Sequence, residues 1–431
     1  MNNITNPSKQ TRRQFIKSGT IAAASALAGF SVVRNAYGQN ADPIRVGLIG
    51  CGGRGTGAAD DCLTSAPNVR LVALADLFKD RLDKCLKTLT DPKREGGPLK
   101  GIEVKDDRCF VGFDAYEKLL ATNVDLVILA TPPHFRPVQF EAAVKAGKHV
   151  FAEKPMGVDP VGIRRFMEAG RLSREKGLAM VAGTQRRHDP GYVEIMKRIH
   201  EGQIGEIVAA RCFWNQGYLW KVDREPGWTD MEWQVRNWNY FDWLSGDHIV
   251  EQHIHNLDVI NWAFGSHPVK ALGVGGRQAR TDEVYGNVYD HFAIDYEYEN
   301  GVHLTSMCRQ QENTQALIGE FVIGTGGSSS THWDRWILKG KNAWRYTGGK
   351  VNPYVQEHAD LIASIRKGQP INEAQTVAET TLTAIMGRQA AYTGKEITWE
   401  EMMASTLDLS PAKYEFGPLP IHPVPKPGQT A

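Results

Sequence analysis

Two groups of residues in this chain are spaced for chemistry. Glu251, His255 and Asp258 stand at i, i+4 and i+7, which on one continuous helix puts all three on a single face with a carboxylate placed to orient the imidazole. Well upstream, Lys154 follows the apolar run 149–152 and would project from the carboxyl end of a strand. Removing a hydride from a carbinol carbon needs a group that takes the hydroxyl proton and a charge that stabilises the alkoxide. Histidine and ammonium supply both, with His255 as base and Lys154 as electrostatic partner; the roles are exchangeable, because a neighbouring cation lowers a lysine pKa. Glu251, His253 and His255 are also metal-ligand types, but positions 251 and 253 point to different sides of a helix, so no metal is expected.

A hydride needs an acceptor, and the amino-terminal elements supply a place for one. The run Ile44–Ile49 (IRVGLI) reads as a strand and leads into Gly50-Cys51-Gly52-Gly53-Arg54-Gly55, after which residues 58–65 read as helix. Gly50 suits a tight turn, Gly52 lets backbone approach a pyrophosphate, and Gly55 permits close helix packing. The next strand, residues 69–75, ends at Asp76, where a carboxylate accepts from adenosine ribose hydroxyls and repels a 2′-phosphate; NAD is favoured over NADP, with Lys79 and Arg81 nearby to soften the preference. Helices at 78–89, 116–120 and 138–146 alternate with strands at 126–130 and 149–152, which implies right-handed crossovers and a doubly wound parallel sheet. Beyond Pro160 come a helix to Lys176, a strand at 179–183, a helix at 191–201, and strands at 207–214, 269–275, 290–298, 303–309 and 319–323 of a largely antiparallel sheet. The expected domains are a Rossmann domain over 41–160, an α+β domain over 161–410 whose helices at 354–367 and 377–394 brace the sheet or return to the first domain, and a proline-rich extended tail over 411–431.

Glu153-Lys154-Pro155, with Ala130-Thr131-Pro132-Pro133, Ala146-Gly147-Lys148-His149-Val150 and the glycine loop, resembles the Gfo/Idh/MocA family over residues 44–399. The resemblance implies that Lys154 sits beside the nicotinamide and the reacting hydroxyl, and that His255 and Asp258 match the family's histidine helix. Glu251 stands there for a usual aspartate and His253 for a usual glycine. It also implies cofactor contacts at Gly50, Gly52, Gly53, Arg54, Gly55, Asp76, Thr131, Pro132, Glu153 and Lys154. His134 is a further candidate near the nicotinamide ribose. Substrate contacts are implied after the strand at 179–183, at Gln185, Arg186, Arg187 and His188. Sugar rings pair hydroxyl edges with C–H faces, so one or two of the aromatics crowded over residues 214–243, with Trp238 and Tyr240 the candidates, are expected to meet substrate beside Lys154 and His255.

Composition narrows the class. Lys+Arg of 50 against Asp+Glu of 49 leaves a formal charge of +1, no footprint for nucleic acid or an anionic membrane, so the partner is a small molecule. The six cysteines lack paired short spacings and are expected to be mostly free, buried thiols. Thr11-Arg12-Arg13-Gln14-Phe15-Ile16-Lys17 before the apolar stretch 21–33, with Ala36-Tyr37-Gly38 as a cleavage site, resembles a twin-arginine export signal, which implies folding around a tightly held cofactor before export to the periplasm. An oxidoreductase of sugars or glycosides is the expected function. A nicotinamide-dependent glycosidase that oxidises the ring transiently, and a non-catalytic sugar-binding protein, are the alternatives. An exposed sheet face makes a homo-oligomer expected.

Overall fold

The computed structural model of the chain describes residues 42–94, 96–332 and 334–429. The twin-arginine string and the cleavage position lie outside them.

The first sheet has six parallel strands in the order β3-β2-β1-β4-β5-β6. They are β1 (Ile44–Ile49), β2 (Val69–Asp76), β3 (Cys109–Val111), β4 (Leu126–Leu129), β5 (His149–Ala152) and β6 (Met180–Ala182). β1 pairs in parallel with both β2 and β4, and a strand covered on both faces reads as an unbroken apolar run, as IRVGLI does. Helices α1 (Gly53–Ser65), α2 (Lys79–Leu89), α3 (Ala115–Leu120), α4 (Arg136–Lys145) and α5 (Pro160–Glu175) make the crossovers. Strand order reverses at β1, so the crevice at the carboxyl ends opens beside the glycine loop.

This sheet extends past residue 160, the boundary read from the sequence. β6 pairs with β5 in parallel, and α5 is the crossover onto it. The three residues of β6 carry too little periodicity to be assigned to either sheet before pairing is known.

The second sheet has nine strands in the order β14-β13-β12-β11-β7-β10-β9-β8-β15, antiparallel except for the β7–β10 pair. Between the sheets come α6 (Pro190–His200) and, after β7 (Ile207–Gln216), α7 (Asp230–Arg236), α8 (Asp242–Ser245), α9 (His248–Glu251) and α10 (Ile254–Phe264). β8 (Lys270–Gly276), β9 (His291–Glu297), β10 (His303–Gln310) and β11 (Leu317–Gly324) follow. β12 (Gly327–His332), β13 (Arg335–Gly340) and β14 (Trp344–Arg345) extend the sheet where no strand is evident in the sequence. The string GSSSTH reads as loop, but pairing with β11, Phe321 opposite Ser330, overrides its weak propensity.

α11 (Pro353–Arg366) returns to pack on α1, and α12 (Ala374–Thr393) lies between α5 and the inner sheet face, ahead of β15 (Ile397–Thr398) and α13 (Trp399–Ala404). One apolar core therefore runs from Ile49 through Phe166 to Tyr296 and Ile385, joining the two sheets. Fully buried Arg388 on α12 reinforces the junction, its Nη1 donating to the carbonyls of Val158 (2.8 Å) and Gly246 (3.1 Å). Cys51, Cys62, Cys85, Cys212 and Cys308 are free and buried, and Cys109 is free and half-buried.

At the glycine loop, Gly50 has φ +99°, a left-handed conformation suited to glycine, and a Cβ there would lie 2.6 Å from the Ala130 carbonyl carbon. A Cβ on Gly55 would lie 1.8 Å from the Gly50 carbonyl oxygen, so α1 touches the β1 turn backbone to backbone. Gly55→Ala must push α1 off the sheet, an overpacking cost of roughly 1–3 kcal/mol. Its thermal midpoint is expected to fall by about 1–4 °C relative to wild type in scanning calorimetry, and an unchanged midpoint would contradict the close packing.

Candidate active site

Lys154 follows β5 and reaches across to the second sheet's helices. Its Nζ donates to both the backbone carbonyl (2.5 Å) and the carboxylate Oε1 (2.6 Å) of Glu251. Both side chains are mostly buried, and the pair spans the two domains. An ammonium has three N–H donors, so these two bonds leave one uncommitted.

Glu251, His255 and Asp258 do not share one helix face. The helix breaks at residues 252–253, between α9 and α10, where the His253 N–H returns to the His248 carbonyl (3.1 Å). Asp247, held at φ 71°, sets the start of α9; its carboxylate accepts from the His248 N–H (2.6 Å), the Tyr289 N–H (2.7 Å) and the Tyr392 hydroxyl (2.6 Å). The break turns Glu251 toward Lys154 instead of His255. Asp258 accepts two bonds from Arg187, at 2.8 Å each, and one from the Thr380 hydroxyl (3.0 Å), so it anchors α10 and leaves the imidazole alone.

His255 is buried and stacks on Trp214 (centroids 5.7 Å apart, planes 24°). Its Nδ1 has no hydrogen-bond partner among the described residues. Burial, with the nearby charges of Lys154 and Arg186, holds its pKa well below 6.5, so the ring is a neutral imidazole. The site thus sets an ion-paired ammonium near a neutral ring with an unused nitrogen.

Arg186 comes from the single turn 185–188 after β6 and is buried against Glu320 of β11. Glu320 also accepts from Asn256 Nδ2 (2.6 Å), the Tyr192 hydroxyl (3.2 Å) and the Thr331 hydroxyl. Glu320 went unread in the sequence, although a lone acid in the middle of LIGEFVIG was the available signal. Arg136 was missed as well. Fully buried on α4, its guanidinium donates to the Thr131 (2.5 Å) and Pro155 carbonyls and ties the turn after β4 to the one carrying Lys154.

The other substrate candidates divide differently from the sequence expectation. Arg187 is spent on Asp258. His188 sits between Asp360 (2.7 Å) and Glu373 (3.4 Å); burial alone would lower its pKa, but the two carboxylates raise it to about 10. Tyr240 is buried, its hydroxyl donating to the Leu219 carbonyl (3.0 Å), and Trp238 lines the crevice at the glycine loop. A separate cavity of about 240 Å³ opens beside Gln185, Arg186, Tyr192, Trp336, Asn352 and Tyr354.

The crevice itself is lined by Gly50, Gly52, Asp76, Phe78, Arg81, Phe113, Thr131, Pro132, Phe135, Val235 and Trp238. α1 begins without a side-chain cap, so its first N–H groups face the crevice mouth, and a Cβ on Gly52 would meet only Arg81, at 3.7 Å. The Asp76 carboxylate accepts from the N–H groups of Cys51 (2.6 Å) and Phe78 (2.8 Å), which leaves lone pairs for hydroxyls; burial raises its pKa against those two bonds. Lys79 is drawn away to Asp83 (2.6 Å). Arg54 bonds Asp61 (2.8 Å) and Glu153 (3.0 Å), bracing α1 against the turn of Lys154, and Gly53 opens that helix. His134 is buried outside the crevice lining, its Nε2 2.8 Å from the Tyr414 hydroxyl, and burial lowers its pKa to about 4. The glycine cradle, the uncapped helix start and the acid at the end of β2 together fit a dinucleotide.

Residues 44–182 match the oxidoreductase family with the NAD-binding Rossmann fold, and residues 192–330 match the GFO/IDH/MocA C-terminal domain. The chain belongs to the GFO/IDH/MocA oxidoreductase family. Inositol 2-dehydrogenase of Rubrobacter xylanophilus is 28% identical over 317 residues, covering 70% of this chain and 79% of the relative. scyllo-Inositol 2-dehydrogenase (NAD(+)) of Bacillus subtilis is 26% identical over 287 residues, 66% of this chain and 72% of its own. In three dimensions, the aldose-aldose oxidoreductase of Caulobacter crescentus, solved with glycerol, superposes with a TM-score of 0.64 at 17% identity, over 83% of this chain and 99% of that one, a likeness of fold.

Burial fixes the direction of acid sensitivity. His134 (about 4), His253 (about 3), His255 and His358 all hold folded pKa values below the 6.5 of an ordinary imidazole, because burial disfavours the charged ring. Below pH 6.5 the unfolded chain binds more protons, so the stability these rings contribute is complete above 6.5 and is lost as pH falls toward 4. His188 acts oppositely, its contribution present below 6.5 and lost as pH rises through about 10. The thermal midpoint is expected to drop between pH 7 and pH 4, and His358→Phe should make that drop shallower by up to about 1.4 kcal/mol per pH unit. Parallel slopes for variant and wild type would remove His358 from this set.

Proposed function

We propose that the protein is a nicotinamide-dependent oxidoreductase of sugars, polyols or glycosides, passing a hydride between a ring carbinol carbon and NAD. The observation that carries this reading is the Lys154–Glu251 ion pair, which leaves one N–H of Lys154 uncommitted near the neutral imidazole of His255, whose Nδ1 makes no hydrogen bond among the described residues. When bound, the dinucleotide supplies the hydride acceptor. Gly50, Gly52, Gly53 and Gly55 would receive its pyrophosphate, and Asp76 its adenosine ribose, which favours NAD over NADP. His255 takes the hydroxyl proton, and Lys154 stabilises the oxygen as charge develops on it. Glu251 is a positioning residue that fixes Lys154. Arg186, paired with Glu320, adds to the positive surroundings that keep His255 neutral. Inositol dehydrogenases and an aldose-aldose oxidoreductase among the similar proteins support a polyhydroxylated ring as substrate.

Export in the folded state and action outside the cytoplasm belong to the same proposal, on the strength of the Thr11-Arg12-Arg13-Gln14-Phe15-Ile16-Lys17 string. So does self-association. The outward face of the second sheet exposes Val208, Leu272, Val274, Met307 and Ile323, an apolar surface suited to a second copy. Light scattering of the purified protein is expected to give more than one chain per particle and Val274→Lys to lower that number; a monomeric wild type would contradict it.

Denaturing the purified protein and identifying the released dinucleotide tests the cofactor. A panel of sugars, polyols and glycosides followed at the nicotinamide absorbance tests the reaction. Lys154→Ala is expected to bind dinucleotide as wild type does while losing at least about 100-fold in turnover, the scale of one preorganised charge. Turnover retained in Lys154→Ala would end this reading, and aglycone release without net reduction would redirect it to redox-assisted glycoside cleavage.

A further inference from the structure

The carboxyl-terminal segment is extended, as its prolines require, but it is fastened along its length. The Leu409 N–H donates to Asp159 Oδ2 (3.0 Å), ahead of α5. The Tyr414 hydroxyl meets His134 Nε2 (2.8 Å). The Gly417 carbonyl accepts from the Met231 N–H (3.2 Å), and Leu419 exchanges bonds with Asp230 (3.0 Å) and Gln234 (2.6 Å) on α7. Farther on, the Pro425 carbonyl accepts from the Tyr289 hydroxyl (2.9 Å), and the Gly428 N–H donates to the Thr393 carbonyl (3.2 Å). The segment begins on the first domain and finishes on the second.

Between those anchors it lays two aromatic rings on the rim of the dinucleotide crevice. Phe416 stacks on Phe78 (centroids 5.9 Å) and tilts against Phe113 (5.4 Å). Tyr414 packs against Phe113 (6.2 Å) and Phe135 (5.9 Å). Phe78, Phe113 and Phe135 are themselves crevice lining, at the carboxyl ends of β2, β3 and β4, next to the carboxylate of Asp76. Val235 and Trp238 of the second domain line the crevice too and pack in the same apolar cluster. A ligand seated with its ribose at Asp76 has its adenine end beneath this cover.

Resting on the oxidoreductase reading, we propose that residues 409–428 form a strap that completes the adenosine end of the cofactor site and holds the dinucleotide through successive turnovers, with Tyr414 and Phe416 as cofactor-retaining residues. The physical case is release. A dinucleotide leaves a Rossmann crevice by swinging out past the turns after β2, β3 and β4, and here those turns are bonded through the strap to α7. Prolines limit the freedom the strap gains on lifting, so closure costs it little entropy. An enzyme so built regenerates its cofactor with a second substrate in place of exchanging it.

The test measures dissociation and needs no substrate. The full chain is loaded with NADH, chased with excess NAD, and followed by loss of energy transfer from tryptophan. Wild type should release slowly. Tyr414→Ala with Phe416→Ala should release roughly tenfold faster or more, the scale of one or two lost aromatic contacts. If that double variant fails to fold, the single change at exposed Phe416 and Tyr414→Phe, which keeps the ring and removes the hydroxyl that meets His134, read the same rate. Unchanged dissociation in the variants overturns the strap and leaves the oxidoreductase reading intact. Faster association with unchanged dissociation would make the segment a plug, and overturns it too. A wild type that takes up neither NADH nor NADPH ends both.

Discussion

The pairing of Lys154 with Glu251 is the constraint on which the rest of the molecule depends. A lysine at the carboxyl end of a parallel strand would otherwise sweep a wide arc, since its side chain has four rotatable bonds. Two acceptors on one residue of the other domain, a carbonyl and a carboxylate, remove that freedom. They require the two sheets to keep one relative position, and the shared core from Ile49 to Ile385 and the buried guanidinium of Arg388 maintain it. The geometry of the candidate site is thus a property of the interface between domains.

Charge in the site is arranged in two tiers. Arg186 and Arg187 are consecutive in sequence, and each is neutralised by a buried acid of the second domain, Glu320 and Asp258. Buried ion pairs of this kind add little net stability against apolar replacements, yet they leave no tolerance for the loss of one partner. They clamp the turn after β6 to β11 and α10 of the second domain. His255 then sits among cations it does not bond, and the low pKa that results keeps it neutral.

Local pattern made much of this legible. The strand, glycine loop, helix and acid from Ile44 to Asp76 lie as periodicity and spacing suggested, because each is specified by neighbours within one βαβ unit. β6 was read as a strand at 179–183, but its place in the first sheet was not legible because so short a run does not show which sheet it joins, and β12 was missed because serines enter a strand only when a partner pairs with them. The Glu251, His255 and Asp258 reading failed for a similar reason. It assumed a continuous helix across residues 252–253, whereas Asp247, fixed by Tyr289 and Tyr392 from distant elements, starts a separate short turn.

By itself, then, the sequence determined the doubly wound half, the place of the glycine cradle and the acid opposite it, and the strand end from which Lys154 projects. These follow from short-range rules of backbone conformation and alternating burial. Tertiary structure alone decided whom the charged groups meet: Glu251 with Lys154, Asp258 with Arg187, Glu320 with Arg186, and the proline-rich end with the rim of the crevice. Such partners are remote in the chain and are selected by the need to neutralise buried charge and cover apolar surface, conditions that exist only after the sheets have packed.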